Sequence, residues 1–153
     1  MKIDRVGNVV KLSGVIDEHA DFSPLAQEAP PLTIDFSGVQ RINSVGIRTW
    51  MRFMTQWGDK ELIYVNCPVI VTDQLSVIPA LMGIKRRIVL VKSAAVAFDC
   101  PACGHQEDIA INEAQTQPVV DPKVLSPACP ACGKVMEAIN PDQISLIGPV
   151  KQG

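Results

Sequence analysis

Two copies of the pentapeptide Cys-Pro-Ala-Cys-Gly, at residues 100–104 and 129–133, constrain this chain more than any other feature. Two residues between cysteines allow a tight turn that aims both sulfurs at one point. A glycine after the second cysteine relieves crowding where the backbone folds over the thiolates. Two such knuckles supply four thiolates, which match the tetrahedral preference of zinc with S–metal distances of about 2.3 Å. The spacing therefore predicts one structural zinc ion per chain, held by Cys100, Cys103, Cys129 and Cys132. Residues 104–128, which separate the pairs, are long enough to close as a loop.

A redox role would need a single Cys-x-x-Cys in a thioredoxin-like setting. Iron is the rival metal. Rubredoxins resemble this chain at the cysteines, but they wrap their iron in aromatic side chains, and residues 99–140 contain no Phe, Tyr or Trp. Zinc is favoured on that ground. A closed four-thiolate shell leaves no open coordination position, so its contribution is folding free energy and not hydrolysis. His105 follows the first knuckle and reads as an exposed loop residue, with alternate ligation as the other reading. Cys67, in Val-Asn-Cys-Pro, ends a strand and reads as a small buried apolar residue.

Five cysteines favour metal ligation over disulfides if the chain is cytoplasmic. That location is expected, because MKIDRVGNVV lacks the apolar core of a leader and no run nears the roughly 18 apolar residues needed to span a bilayer. Aromatic residues make up only 5% of the chain, which predicts an aliphatic core. Charge is uneven. Residues 1–97 carry 11 Lys/Arg and nine Asp/Glu, against three and seven in residues 98–153. The cysteine-bearing third is thus acidic and a poor partner for phosphates.

Along the first two thirds, residues 8–16 read as a strand turning at Gly14, and residues 19–29 as a short helix with Pro24 in its first turn. Residues 32–36 read as a strand closed by Ser37-Gly38. Residues 45–57 place Ile47, Trp50, Met51, Met54 and Trp57 on one apolar stripe, a helix capped by Gly58. A strand at 61–66, a helix from Pro68 to about Leu75 and a strand at 87–91 follow. This is an α/β layer of four or five short strands with helices packed on the sheet. After Lys92, SAAVAFD, EDIAIN and KVMEAIN read as short strands flanking the knuckles, and the segment with Pro118, Pro122 and Pro127 reads as a long loop.

Three segments in the α/β part carry a resemblance. Gly14-Val15-Ile16-Asp17, Ile34-Asp35-Phe36-Ser37-Gly38-Val39 and Asn43-Ser44-Val45-Gly46-Ile47 resemble, in order, the strand ending, the second strand and the helix start of STAS domains. STAS is the fold of bacterial anti-sigma factor antagonists. LSVIPALMGIKRRIVLV resembles the family's last helix, turn and strand. The resemblance covers about residues 5–92. It implies a STAS-like domain at residues 1–95, followed by a zinc-ribbon module with a C-terminal tail at residues 96–153. Ser44 aligns with the family's phosphorylated switch serine, although Asn43 stands where the family has Asp and Val45 where it has a second Ser. Ser44 also precedes a helix, which predicts an N-cap.

The expected function is a non-enzymatic signalling adaptor. The resemblance implies that it docks an anti-sigma factor or a related kinase-like protein through Asn43, Ser44, Val45, Gly46 and Arg48. The rival classes are a nucleic-acid-binding ribbon protein, disfavoured by the acidic balance, and a STAS-like regulatory subunit of a larger complex such as a transporter. The composition indicates no oligomeric state. Asp17-Glu18-His19 and Lys85-Arg86-Arg87 read as solvated turns.

Overall fold

In the computed structural model, residues 1–117 and 119–149 are described. Pro118 and residues 150–153, counted above in the loop and tail of the cysteine module, lie outside the described residues. Strand β1 (Lys2–Val6) turns at Gly7-Asn8 into β2 (Val9–Ile16). A single helical turn α1 (Ser23–Ala26), strand β3 (Leu32–Ile42), helix α2 (Ser44–Trp57), strand β4 (Leu62–Val65), helix α3 (Val69–Val77) and strand β5 (Val89–Val91) follow. The sheet order is β1-β2-β3-β4-β5. The β1–β2 pair is antiparallel, and β2 through β5 run parallel, as strands joined by helical crossovers must.

The expected α/β layer is present, with differences that have physical causes. β1 was not read from the sequence, because its side chains are exposed or half-buried and show no apolar alternation. β3 does not stop at Ser37-Gly38 but runs to Ile42. Gly38 there serves a close approach: a Cβ on it would lie 2.4 Å from Ser13 Oγ and 2.8 Å from the Leu12 carbonyl. The β2–β3 register shifts on either side of this contact, so the glycine marks an irregularity inside a strand. The helix expected over 19–29 shrinks to α1. The segment read as a last helix forms only a 3-10 turn at Pro79–Met82 before β5.

The core is not purely aliphatic. The chain has two Trp, one Tyr and four Phe, and Phe22, Phe36, Trp50, Phe53, Trp57, Tyr64 and Phe98 are all buried. Six of these interlock between α2 and the sheet. Phe22 stacks on Phe53 at 5.6 Å, Phe36 meets Tyr64 edge-on at 4.9 Å, and Trp50 lies 5.2 Å from Phe36. Their polar tips are satisfied. The Tyr64 hydroxyl donates to the Leu81 carbonyl at 2.7 Å, and Trp57 Nε1 donates to the Lys60 carbonyl at 2.9 Å. The apolar stripe on α2 holds for Ile47, Trp50, Met54 and Trp57. Phe53 joins it, while Met51 is only half-buried.

The last third forms a second sheet from β6 (Ser93–Asp99), β7 (Gln106–Asn112) and β8 (Glu137–Ala138), antiparallel in the order β7-β6-β8. A further helical turn, α4 (Pro122–Leu125), lies in the segment between the knuckles. The division drawn near residue 95 falls within β6. That strand is laced to the end of β4: Cys67 N–H donates to the Ser93 carbonyl (3.2 Å), and Ala95 N–H donates to the Cys67 carbonyl (2.7 Å). A 3-10 turn at Pro141–Leu146 returns to the first sheet. There the Gln143 carboxamide, 3% exposed, donates to Asp73 Oδ1 at 2.7 Å. Arg87, expected in a solvated turn, is half-buried and donates to the carbonyls of Leu146 and Gly148 at 2.6 and 2.9 Å. Burial holds the Arg87 guanidinium below its usual pKa. Gly148 N–H donates to the Val91 carbonyl at 2.8 Å and so covers the edge of β5. Buried residues from both sheets form one continuous cluster. Among the described residues, no helix is long and apolar enough to cross a membrane.

Gly46 fixes how α2 meets the sheet, since a Cβ there would lie 2.0 Å from the Ile16 carbonyl oxygen. Gly46→Ala is expected to destabilise the chain by about 1–3 kcal/mol through overpacking against backbone, read as a lower midpoint in urea unfolding.

Candidate metal centre

Each knuckle is built by the same backbone bonds. Cys100 N–H donates to the His105 carbonyl and Gly104 N–H to the Cys100 carbonyl, both at 2.8 Å. In the second knuckle Cys129 N–H reaches Lys134 (2.7 Å) and Gly133 N–H reaches Cys129 (2.8 Å). Gly104 and Gly133 sit at φ 79° and 77°, where an L side chain is strained, which is why glycine follows each second cysteine. β6 delivers Cys100 at its end, β7 leaves the first knuckle, and β8 follows the second.

The four sulfurs predicted as ligands come together. Cys100 Sγ is 3.5 Å from Cys132 Sγ, and Cys103 Sγ is 3.7 Å from Cys129 Sγ. All four lie within 4.8 Å of one another. A tetrahedron with metal–sulfur bonds of about 2.3 Å has sulfur–sulfur edges of about 3.8 Å. The cluster therefore fits one metal ion. Cys100 and Cys129 are buried, while Cys103 and Cys132 are exposed. Cys67 is buried away from this group, as expected, and burial raises its thiol pKa far above the usual value. His105 is half-buried, not exposed. Its Nε2 lies 3.9 Å from a Glu107 carboxylate oxygen and has no hydrogen-bond partner.

The thiols do not ionise alike. Burial opposes ionisation of Cys100, but the N–H groups of Cys103 and Ala102 aim at its sulfur and bring it down to about 7. At Cys132 the Lys134 N–H favours the thiolate, yet the sulfur of Cys100, with burial and the other two cysteines, pushes it up to about 12. Four neighbouring thiolates repel one another, and a cation among them removes that penalty.

At the other candidate region, the N-cap of α2 is Asn43 and not Ser44. Asn43 has extended backbone, and its Oδ1 accepts from Gly46 N–H at 2.8 Å. Its Nδ2 donates to Glu18 Oε2 at 3.1 Å, and its own N–H donates to the Ile16 carbonyl at 3.0 Å. Ser44 is the first helical residue. Asn43, Ser44, Val45 and Arg48 are exposed and Gly46 is buried. The Asn43–Glu18 contact was missed in the sequence, since Glu18 lies 25 residues upstream. Compared with known protein families, curated proteins and solved structures, the chain shows no match.

Metal binding must release thiol protons, so affinity is expected to fall as pH falls, most steeply below the range where Cys100 ionises. A competition titration with a chromophoric chelator at several pH values measures this. Cys129→Ser is expected to abolish stoichiometric metal binding. A two-part division of the chain would confine the resulting disorder to residues 98–140. The shared core and the β6–Cys67 ladder predict instead that the melting temperature of the whole chain falls, by more than about 5 °C, in a single calorimetric transition.

Proposed function

We propose that this chain is a non-enzymatic signalling adaptor, a STAS-like domain joined to a zinc ribbon, that docks a protein partner through the start of α2. One observation carries the reading: the three segments resembling the STAS pattern converge at one end of the sheet. Gly14 and Ile16 pair with Val39 and Ile42, Asn43 N–H binds the Ile16 carbonyl, and Gly46 packs against the same carbonyl. The result is a rigid corner that presents Asn43, Ser44, Val45 and Arg48 to solvent. A corner built from buried backbone contacts with exposed side chains is pre-organised for recognition. An anti-sigma factor or related kinase-like protein is the partner the resemblance implies.

Zinc is the metal of the ribbon. It suits a closed four-thiolate shell without redox chemistry, and the site lacks the aromatic wrapping of an iron centre. Protein purified under reducing conditions without chelator is expected to carry about one equivalent of zinc. Metal analysis finding none, or a coloured iron form, would overturn this assignment.

Ser44 is the proposed switch within the docking corner. A charge there meets the positive end of the α2 dipole, worth roughly 0.3–1 kcal/mol, so Ser44→Asp should leave the melting temperature nearly unchanged. Burying the same carboxylate in an interface without a cation costs several kcal/mol, so binding to a partner captured from native lysate should weaken by tenfold or more. Asn43→Ala behaves oppositely in stability, losing about 1 kcal/mol with the cap. Equal partner affinity for wild type and Ser44→Asp would move the docking surface elsewhere.

A further inference from the structure

The backbone ladder of the second sheet has a parity that determines which groups of β7 are unused. Residues opposite one another in β6 and β7 run from Ser93–Asn112 to Asp99–Gln106. The ladder continues at both ends through hydrogen bonds, Glu113 N–H to the Lys92 carbonyl and Cys100 N–H to the His105 carbonyl, each 2.8 Å. Even-numbered residues of β6 therefore bond to odd-numbered residues of β7. The other side of β6 agrees: its odd-numbered residues serve Cys67 and β8, with Ala95 N–H bound to Cys67 and the Ala97 carbonyl bound by Ile139 N–H at 3.0 Å. It follows that Gln106, Asp108, Ala110 and Asn112 turn their N–H and C=O groups away from β6. Asn112 N–H is taken by Gln115 Oε1 at 2.9 Å. The N–H groups of Gln106, Asp108 and Ala110 have no partner among the described residues, and all three residues are exposed.

We infer that this edge of β7 is a docking site for an extended segment of a partner protein carrying Lys or Arg, added to the sheet as a further strand. The main-chain groups supply the ladder, and the charge supplies the choice of occupant. Glu107 and Asp108 are exposed on opposite faces of β7, and Asp99 stands opposite Gln106. Among the described residues, none of these three carboxylates is paired with a Lys or Arg. The surrounding residues 98–153 hold seven acidic and three basic residues. Half-buried Ile109 shares the face of Glu107, so an apolar residue beside the basic one would complete the fit. A second copy of this chain is a poor occupant. Two β7 edges paired antiparallel about residue 108 place Asp108 opposite itself, and pairing about residue 107 does the same with Glu107; like charges directly opposed destabilise a strand pair. The site is separate from the α2 corner and does not depend on the STAS-like reading.

The test uses the full metal-loaded chain, isotope-labelled, titrated with a synthetic peptide of alternating Lys and Val as probe. The expected result is chemical-shift change and amide protection at Gln106, Asp108 and Ala110, weakened by added salt. Ala110→Pro removes an edge-facing N–H without touching the β6 ladder. It is expected to weaken binding by about tenfold with metal content unchanged. Asp108→Lys retains the backbone and serves if the proline variant fails to fold. It is expected to weaken the same peptide by about threefold to fivefold and to favour a Glu/Val peptide instead. Shifts confined to other surfaces, or unchanged affinity in Asp108→Lys, would overturn the proposal. So would a concentration-dependent dimer that occupies the edge.

Discussion

Strand β6 is the constraint on which both halves of this molecule depend. It begins laced to Cys67, just past β4, and ends beside Cys100, one of the four clustered cysteines. A strand held by ladder bonds at both ends transmits position with little give. The cysteine cluster and the aromatic core under α2 are therefore joined through one strand. Val96 and Phe98 point from β6 into the same buried cluster that contains Trp50 and Tyr64. Burial and ladder bonds along one strand join what composition alone divides into a basic and an acidic part.

Polar contacts complete that junction, and they are satisfied where they are buried. Gln143 reaches Asp73 and Ser76 on α3, and Arg87 closes over the carbonyls of Leu146 and Gly148. A buried amide or guanidinium left without a partner would cost more than the bond contributes, so these pairs specify how the chain end docks. The metal cluster poses the opposite electrostatic problem. Its backbone donors hold Cys100 ready to ionise, while crowding holds Cys132 protonated. A cation would reconcile four thiolates in so small a space.

The two proposed docking surfaces are what this scaffold leaves exposed. The corner at Asn43–Arg48 is rigid because Gly46 and the Asn43 N–H are pinned to the Ile16 carbonyl. The edge of β7 is rigid because its other side is fully paired with β6. One surface offers side chains on a helix start and the other offers main-chain groups flanked by acids. The two proposed surfaces therefore differ in the chemistry they offer.

The ligand set was legible residue by residue, because Cys-x-x-Cys-Gly is a local device whose turn needs nothing from the rest of the chain. The α2 stripe and the strand–helix alternation were legible for the same reason: helical and strand periods are local. Tertiary structure alone decided whatever depends on a neighbour distant in sequence. Gly38 reads as a strand stop until Ser13 and Leu12 are brought against it, and only then is it a close approach inside β3. Ser44 reads as a cap until extended backbone at Asn43 places the capping oxygen one residue earlier, with Glu18 beside it. Seven aromatic residues look too few for a core in composition, yet contact concentrates six of them under one helix. The spacing of cysteines specified what the site can hold. The pairing of β6 with Cys67, a contact across 27 or so residues of intervening chain, decided what that site holds together, because ladder bonds between distant segments leave no periodic trace in either.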